Sequence, residues 1–262
     1  FQSVVVSNLS APPSQDLGRV LCIITGASRG YGRTLALQVS ALVQPGSALV
    51  LVARSEERLR ELQAEIQDSG AGAGAAGVAG LAVCCVGADL SKQEGLAHTV
   101  RMAKEAGRLD VDHLLLINNA EEPINYNAQN LSAYFTPQPC LLAFPRRQGL
   151  WRTVVNLSSL CAHTHTHTHT HTQAFPSWVL YCTGKAARNM MFRVLNYSPG
   201  PLDTDMQTQA RCSSGDLELR DSLCSMFLQG QLLSCGESSA KLMRLLLEDD
   251  YPSGAQVDYY EL

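Results

Sequence analysis

Tyr181 and Lys185 stand four residues apart in Tyr-Cys-Thr-Gly-Lys, a spacing that puts a phenol and an ammonium on one face of a helix. A phenol, with an ordinary pKa of about 10, exchanges protons poorly at neutral pH unless a neighbouring positive charge stabilises its phenolate. Lys185 supplies that charge. Ser159, in Asn156-Leu157-Ser158-Ser159, is placed at the end of an apolar run, where its hydroxyl can polarise the same oxygen. Such a set suits reduction of a carbonyl: hydride arrives on one face and the phenol protonates the developing alkoxide. A lone Tyr-x-x-x-Lys is more often a surface pair, so the upstream chain decides the reading.

Upstream lies Thr25-Gly26-Ala27-Ser28-Arg29-Gly30-Tyr31-Gly32, a G-x-x-x-G-x-G turn between an apolar run and a helical pattern. Gly26 closes the strand, Gly30 lets backbone approach a pyrophosphate, and Gly32 allows close helix packing. The helix start offers free N–H groups and partial positive charge to that phosphate. An ordinary tight turn would use the same glycines. Where NAD sites place a carboxylate after the second strand, this chain has Arg54, with Arg29 in the turn. Two guanidiniums suit a 2′-phosphate, the plain alternative for Arg54 being a solvated loop charge. Ala88-Asp89-Leu90 is a candidate adenine contact, and a helix cap is an equal reading of Asp89.

The elements that must carry these residues follow from periodicity. Val20–Thr25, Ala48–Ala53, Leu81–Ala88, His113–Asn118 and Arg152–Leu157 are short apolar runs expected to be strands. Helical patterns over Tyr31–Val43, after the N-cap candidate Ser55, and from about Lys92 to Gly107 alternate with them. The Gly-Ala tract Gly70–Gly80 reads as a loop. Strands alternating with helices predict an α/β fold, a single doubly wound parallel sheet of Rossmann type with ligands at the strands' carboxyl ends. One domain over 18–262 is expected, after a disordered leader at 1–17.

The chain has 262 residues, 45% of them hydrophobic, enough for a full core. A net charge of −4 and a pI of about 6.0 give no footprint for nucleic acid or an anionic membrane, and a small-molecule partner fits better. Nine cysteines form no CxxC pair and several lie in apolar runs, as expected of reduced thiols in a cytoplasmic protein. Residues 1–15 carry no signal-peptide or membrane-span pattern.

TGASRGYG, NNA, VVNLSS and YCTGK together resemble the short-chain dehydrogenase/reductase family. The longer stretches SRGYGRTLA, LLLINNA, RTVVNLSSLCA, YCTGKAARNM and VLNYSPGPLDTDMQ resemble its branch acting on pteridines, from about Gly18 to the C-terminus. The resemblance implies NADPH-dependent reduction of pteridine side-chain carbonyls in tetrahydrobiopterin biosynthesis, by a cytosolic homodimer. It implies that Gly26, Ala27, Ser28, Arg29, Gly30, Tyr31, Gly32, Arg54, Asp89, Leu90, Asn118 and Lys185 bind NADP. Leu202, Asp203, Thr204, Asp205, Met206 and Gln207 would close over the nicotinamide. Ser159, Tyr181 and Lys185 would do the chemistry, with Asn130 as the helix asparagine of the proton relay, and Ser159, Tyr181, Gly200 and Asp258 would meet substrate. Asp258 makes chemical sense there, because a pterin's 2-amino group and N3–H match a carboxylate's two acceptors. A surface aspartate on a terminal strand is the plain alternative.

The chain also departs from the family pattern. His163–Thr172 is five His-Thr pairs between Ser159 and Tyr181, one reading frame of a CA dinucleotide repeat, with retained non-coding sequence as the leading explanation. Alternate imidazoles on an extended segment could hold Zn²⁺ or Ni²⁺, although no resident metal is expected. Glu121 replaces the glycine of Asn-Asn-Ala-Gly and is expected to crowd the cofactor. Pro137 and Pro139 fall where a helix interior belongs, at about 3 kcal/mol each. AARNMMF runs into the strand candidate RVLNY (193–197) without a connector. Competing readings are a catalytically impaired NADP-binding protein, a faulty gene model and a less specific carbonyl reductase.

Overall fold

The computed structural model describes residues 16–72, 80–107, 110–121, 144, 148–159, 185–186, 189 and 195–262. Asn130, Tyr181, Pro137, Pro139 and the His-Thr tract lie outside these residues.

Strands form where apolar runs are continuous. β1 (Val20–Thr25) and β2 (Ala48–Ala53) are buried along their whole length, whereas β3 (Ala82–Gly87), at the sheet edge, is largely half-buried. β4 (His113–Asn118), β5 (Trp151–Leu157), β6 (Leu195–Ser198) and β7 (Ala255–Asp258) complete the sheet. The order is β3-β2-β1-β4-β5-β6-β7 with every pairing parallel. The chain steps outward from β1 to β3 and then returns to the other side of β1 as β4. That reversal opens a crevice beyond the carboxyl ends of β1 and β4, where doubly wound sheets bind ligands.

Alternation along the strands gives the sheet two apolar faces. Cys22, Ile24, Leu115, Ile117, Val155, Leu195 and Tyr197 pack on one face beneath α1 (Gly30–Leu42) and α6 (Cys235–Glu248). Leu21, Ile23, Val50, Leu114, Leu116 and Val154 pack on the other, with Ala103 of α3 (Gln93–Ala106). α2 (Glu56–Gly72) leans on β2 and β3, and α4 (Asp205–Ser213) and α5 (Leu217–Leu228) follow β6.

The strands expected at β1, β2 and β4 have the expected limits. Of the strand expected over 193–197, residues 195–197 lie in β6, and 190–194 lie outside the described residues. α2 runs on to Gly72, into the tract read as a loop, since each residue added to a formed helix gains a hydrogen bond. Ser55 caps it weakly, accepting from Arg58 N at 3.5 Å. Leu17 is buried and donates its N–H to Leu42 O at 2.7 Å, so it packs with the domain.

Candidate active site

At the end of β1, Gly26 and Gly30 adopt φ of +70° and +53°, left-handed values that favour glycine. The amides of Gly26 and Ala27 both donate to Val52 O, at 2.8 and 3.2 Å, fastening the turn to β2. A Cβ on Gly26 would lie 2.8 Å from Asn119 Nδ2, and one on Gly32 would collide with Gly26 O. The turn is therefore folded tightly against the start of α1. Arg29 is the N-cap of α1, its side chain makes no capping hydrogen bond, and the first turn holds no acidic residue. Its leading amides thus face the crevice with partial positive charge, a fit for a nucleotide pyrophosphate.

Asn119 holds the turn from the other side of the crevice. Its Nδ2 donates to Thr25 O at 3.0 Å and Gly26 O at 3.1 Å, while Thr25 Oγ1 accepts from Asn119 N (3.1 Å) and Ala120 N (2.9 Å). Asn118 points into the sheet face instead. Its Nδ2 donates to Asn156 Oδ1 at 2.7 Å, and Asn156 Nδ2 donates to Asn196 Oδ1 at 3.1 Å. Register explains this ladder, because Asn118, Asn156 and Asn196 are direct partners across β4, β5 and β6. All three are buried, and Asn118 Oδ1 has no hydrogen-bond partner among the described residues. Sequence reasoning missed Asn119 and the ladder, although the recurrence of two apolar residues followed by asparagine, at 116–118, 154–156 and 194–196, was a visible signal.

Lys185 is buried at the end of β5, donating from Nζ to Leu157 O at 2.6 Å. Ser158 N donates to Tyr197 O at 2.7 Å and its Oγ accepts from Asn189 Nδ2 at 2.9 Å, fixing the peptide that leads to the half-buried Ser159. Lys185 Nζ also lies 2.9 Å from Glu121 Oε2. Glu121, the residue expected to crowd a cofactor, is thus the ion-pair partner of the lysine. The ammonium, Ser159 and the glycine-rich turn all stand at the carboxyl ends of β5 and β1, around one crevice.

The short chain dehydrogenase model matches residues 21–134. The chain is 42% identical to the sepiapterin reductase of Meriones unguiculatus over 276 residues, covering 95% of this chain and 99% of that protein. It is 42% identical to the Bos taurus sepiapterin reductase, covering 94% and 96%. The chain belongs to the short-chain dehydrogenase/reductase family. Among solved structures, the L-sorbose reductase of Gluconobacter frateurii, complexed with NADPH and L-sorbose, shares the fold with a TM-score of 0.67 at 19% identity, covering 94% of this chain and 97% of that one.

Of the positions the family resemblance singled out, several converge. Asp258 ends β7 opposite Ser198 of β6, and a Cβ on Gly200 (φ +77°) would lie 3.6 Å from Tyr259, so Gly200 and Asp258 share one end of the sheet. Asp258 Oδ1 accepts from Tyr260 N at 3.0 Å, whereas its buried Oδ2 has no hydrogen-bond partner among the described residues. Burial pushes its carboxyl above the ordinary value, more than the Tyr260 amide pulls it back. Thr204 caps α4 by accepting from Gln207 N at 3.4 Å, and its methyl lies 3.6 Å from where a Gly30 Cβ would be, which brings Leu202–Gln207 to the turn. Met206 rides the first turn of α4.

Other positions are engaged elsewhere. Tyr31 is in the core, its hydroxyl 3.2 Å from Ser238 Oγ, and Leu90 packs beneath α3, so their side chains face the interior. Gln207 donates to Leu223 O at 3.3 Å and accepts from Arg211. Asp203 donates its N–H to Leu233 O at 2.9 Å. Asp89 accepts from Ser91 N (3.0 Å) and Ser91 Oγ (2.7 Å); these bonds, chiefly the hydroxyl, hold its carboxyl below the ordinary value, with Lys92 and Arg54 adding attraction. Arg54 is exposed after β2, on the same side as Asp89.

Proposed function

We propose that this chain reduces a side-chain carbonyl of a pteridine with NADPH. The reading rests on Lys185, an ammonium held in the interior by Leu157 O at 2.6 Å, at the end of the strand that delivers Ser159. Lysine is almost never buried unless paired, as Lys185 is with Glu121, and here the phenol of Tyr181 precedes it by four residues of sequence. NADPH supplies hydride when bound. Gly26 to Gly32 and the open amides of α1 would hold its pyrophosphate, Arg29 and Arg54 its 2′-phosphate, and Asp89 and Leu90 would flank the adenine through backbone. Asn118 would brace the crevice through the ladder, and Leu202 to Gln207 would cover the nicotinamide end.

Ser159 would donate to the substrate oxygen, Tyr181 would protonate it, and Lys185 would set the acidity of the phenol, with Asn130 in the proton path behind it. Asp258 supports the substrate class. Its buried Oδ2 wants a donor, and a pterin offers two adjacent N–H groups. Gly200, beside it, is packed so closely by Leu233 and Tyr259 that a Cβ would lie 2.6 Å from Leu233 Cδ1, and it would meet the substrate through backbone. The similarity to sepiapterin reductases over nearly the whole chain supports the same substrate class. No helix of the described residues is long and apolar enough to cross a membrane.

Loss of NADPH absorbance on addition of sepiapterin, abolished in Tyr181→Phe, is the expected result. Folded protein that consumes no NADPH overturns the reading.

A further inference from the structure

Glu121 stands where the family pattern has glycine, and its carboxylate is 2.9 Å from Lys185 Nζ with both side chains shielded, at 9% and 3% exposure. Lys185 has turned its ammonium between this carboxylate and Leu157 O. Glu121 Oε1 is buried and has no hydrogen-bond partner among the described residues, so the contact of this carboxylate that the structure shows is the one its Oε2 makes with Lys185. In a shielded site an opposite charge at this distance cancels much of the field that a lone ammonium would project.

We infer that Glu121 is a positioning residue that holds Lys185 and neutralises it, weakening the phenol acid of this chain. The inference rests on the reductase reading, in which Lys185 lowers the pKa of the phenol four residues before it. With the ammonium paired, phenolate is stabilised less. Reduction then persists to higher pH but runs more slowly near neutrality, where the acid is further from matching the medium.

The test is the pH dependence of NADPH-driven sepiapterin reduction in the parent chain, Glu121→Gln and Glu121→Gly. Gln keeps an oxygen for Lys185 without the charge, and Gly restores the family pattern; circular dichroism checks that each folds. The pH at which reduction falls off on the alkaline side is expected to move down by about one unit in both variants, the low end of what a charge within about 4–6 Å does. An unmoved alkaline limb, or a loss of rate at every pH alike, overturns the inference. A second readout needs no turnover. The phenolate absorbance titration of Tyr181, obtained by subtracting the Tyr181→Phe counterpart of each chain, is expected to shift down by the same amount in Glu121→Gln, and an unchanged titration overturns the inference. If all chains lack activity, the reductase reading fails while this titration still decides the role of Glu121.

Discussion

Arg29 Nη1 and Asp205 Oδ2 lie 2.9 Å apart although 176 residues separate them in the chain. One belongs to the glycine-rich turn and the other opens α4, so the pair ties the phosphate cradle to the segment proposed to cover the nicotinamide. A cation proposed for the 2′-phosphate is thus already shared with a carboxylate. Both side chains are more than half exposed, at 51% and 72%, which limits the value of the pair to about 0–1 kcal/mol.

Asp205→Asn should therefore release Arg29 to the nucleotide. The expected gain in NADPH affinity is at most about fivefold, matching that ceiling, and it should shrink as salt screens the exposed charges. Arg29→Ala should weaken NADPH more than NADH. Fluorescence titration with both nucleotides at two ionic strengths checks the pair of outcomes, and equal losses for the two nucleotides would remove Arg29 from 2′-phosphate recognition.

Asp258 should behave in the reverse sense to an ordinary paired carboxylate. Burial raises its folded pKa above the unfolded value, so the folded chain holds the extra proton between the two. Its contribution to stability is present below the unfolded pKa and declines as pH rises through the folded one. Asp258→Asn should remove that dependence in urea titrations from pH 3 to 7. A pterin that donates two N–H groups favours the ionised form, so its affinity should rise as pH climbs through the raised pKa. Calorimetric titration should also show Asp258→Asn weakening pterin by roughly tenfold to a hundredfold, the worth of a hydrogen bond to a charge at about 1.5–3 kcal/mol.

Gly32→Ala should cost nucleotide affinity out of proportion to its size. Its Cβ would meet Gly26 O and Asn119 Nδ2, both backed by hydrogen bonds, so the cradle must open to admit it. Asn119→Ala attacks the same lock from the other side, and the two substitutions should be non-additive because they share partners. Isothermal titration of NADPH with both single variants and the double variant measures the coupling. Independent losses would mean that Asn119 and Gly32 do not act through one structure.

The strands and the glycine-rich turn were legible because continuous apolar runs and glycine placement are local signals, and β1, β2 and β4 have the limits that periodicity assigns. Contacts across the sheet were not. Which of Asn118 and Asn119 faces the turn depends on strand register, and the pattern cannot supply it. Glu121 reads as an obstruction when only its size and charge are known; the depth of Lys185, which turns it into an ion-pair partner, is a tertiary fact. Tyr31 and Leu90 lie in motif stretches, yet the core claims their side chains, since a motif that binds through backbone leaves side chains free to pack.

The asparagine ladder carries the last expectation. Asn156 is its centre, accepting from Asn118 and donating to Asn196 inside a face otherwise filled by Leu116 and Val154. Asn156→Val would strand an Asn118 donor and an Asn196 acceptor in a dry layer, each costing about 1–3 kcal/mol. Replacing all three residues by apolar ones removes the stranded groups and should restore much of the loss, because unsatisfied partners cost more than absent ones. Urea unfolding should rank the single variant below the triple variant. The triple variant should nonetheless bind NADPH more weakly than the parent, since Asn118 leads directly into the Asn119 latch and the ladder holds the ends of β4, β5 and β6 in register. A triple variant that binds NADPH as the parent does would limit the ladder to stability alone.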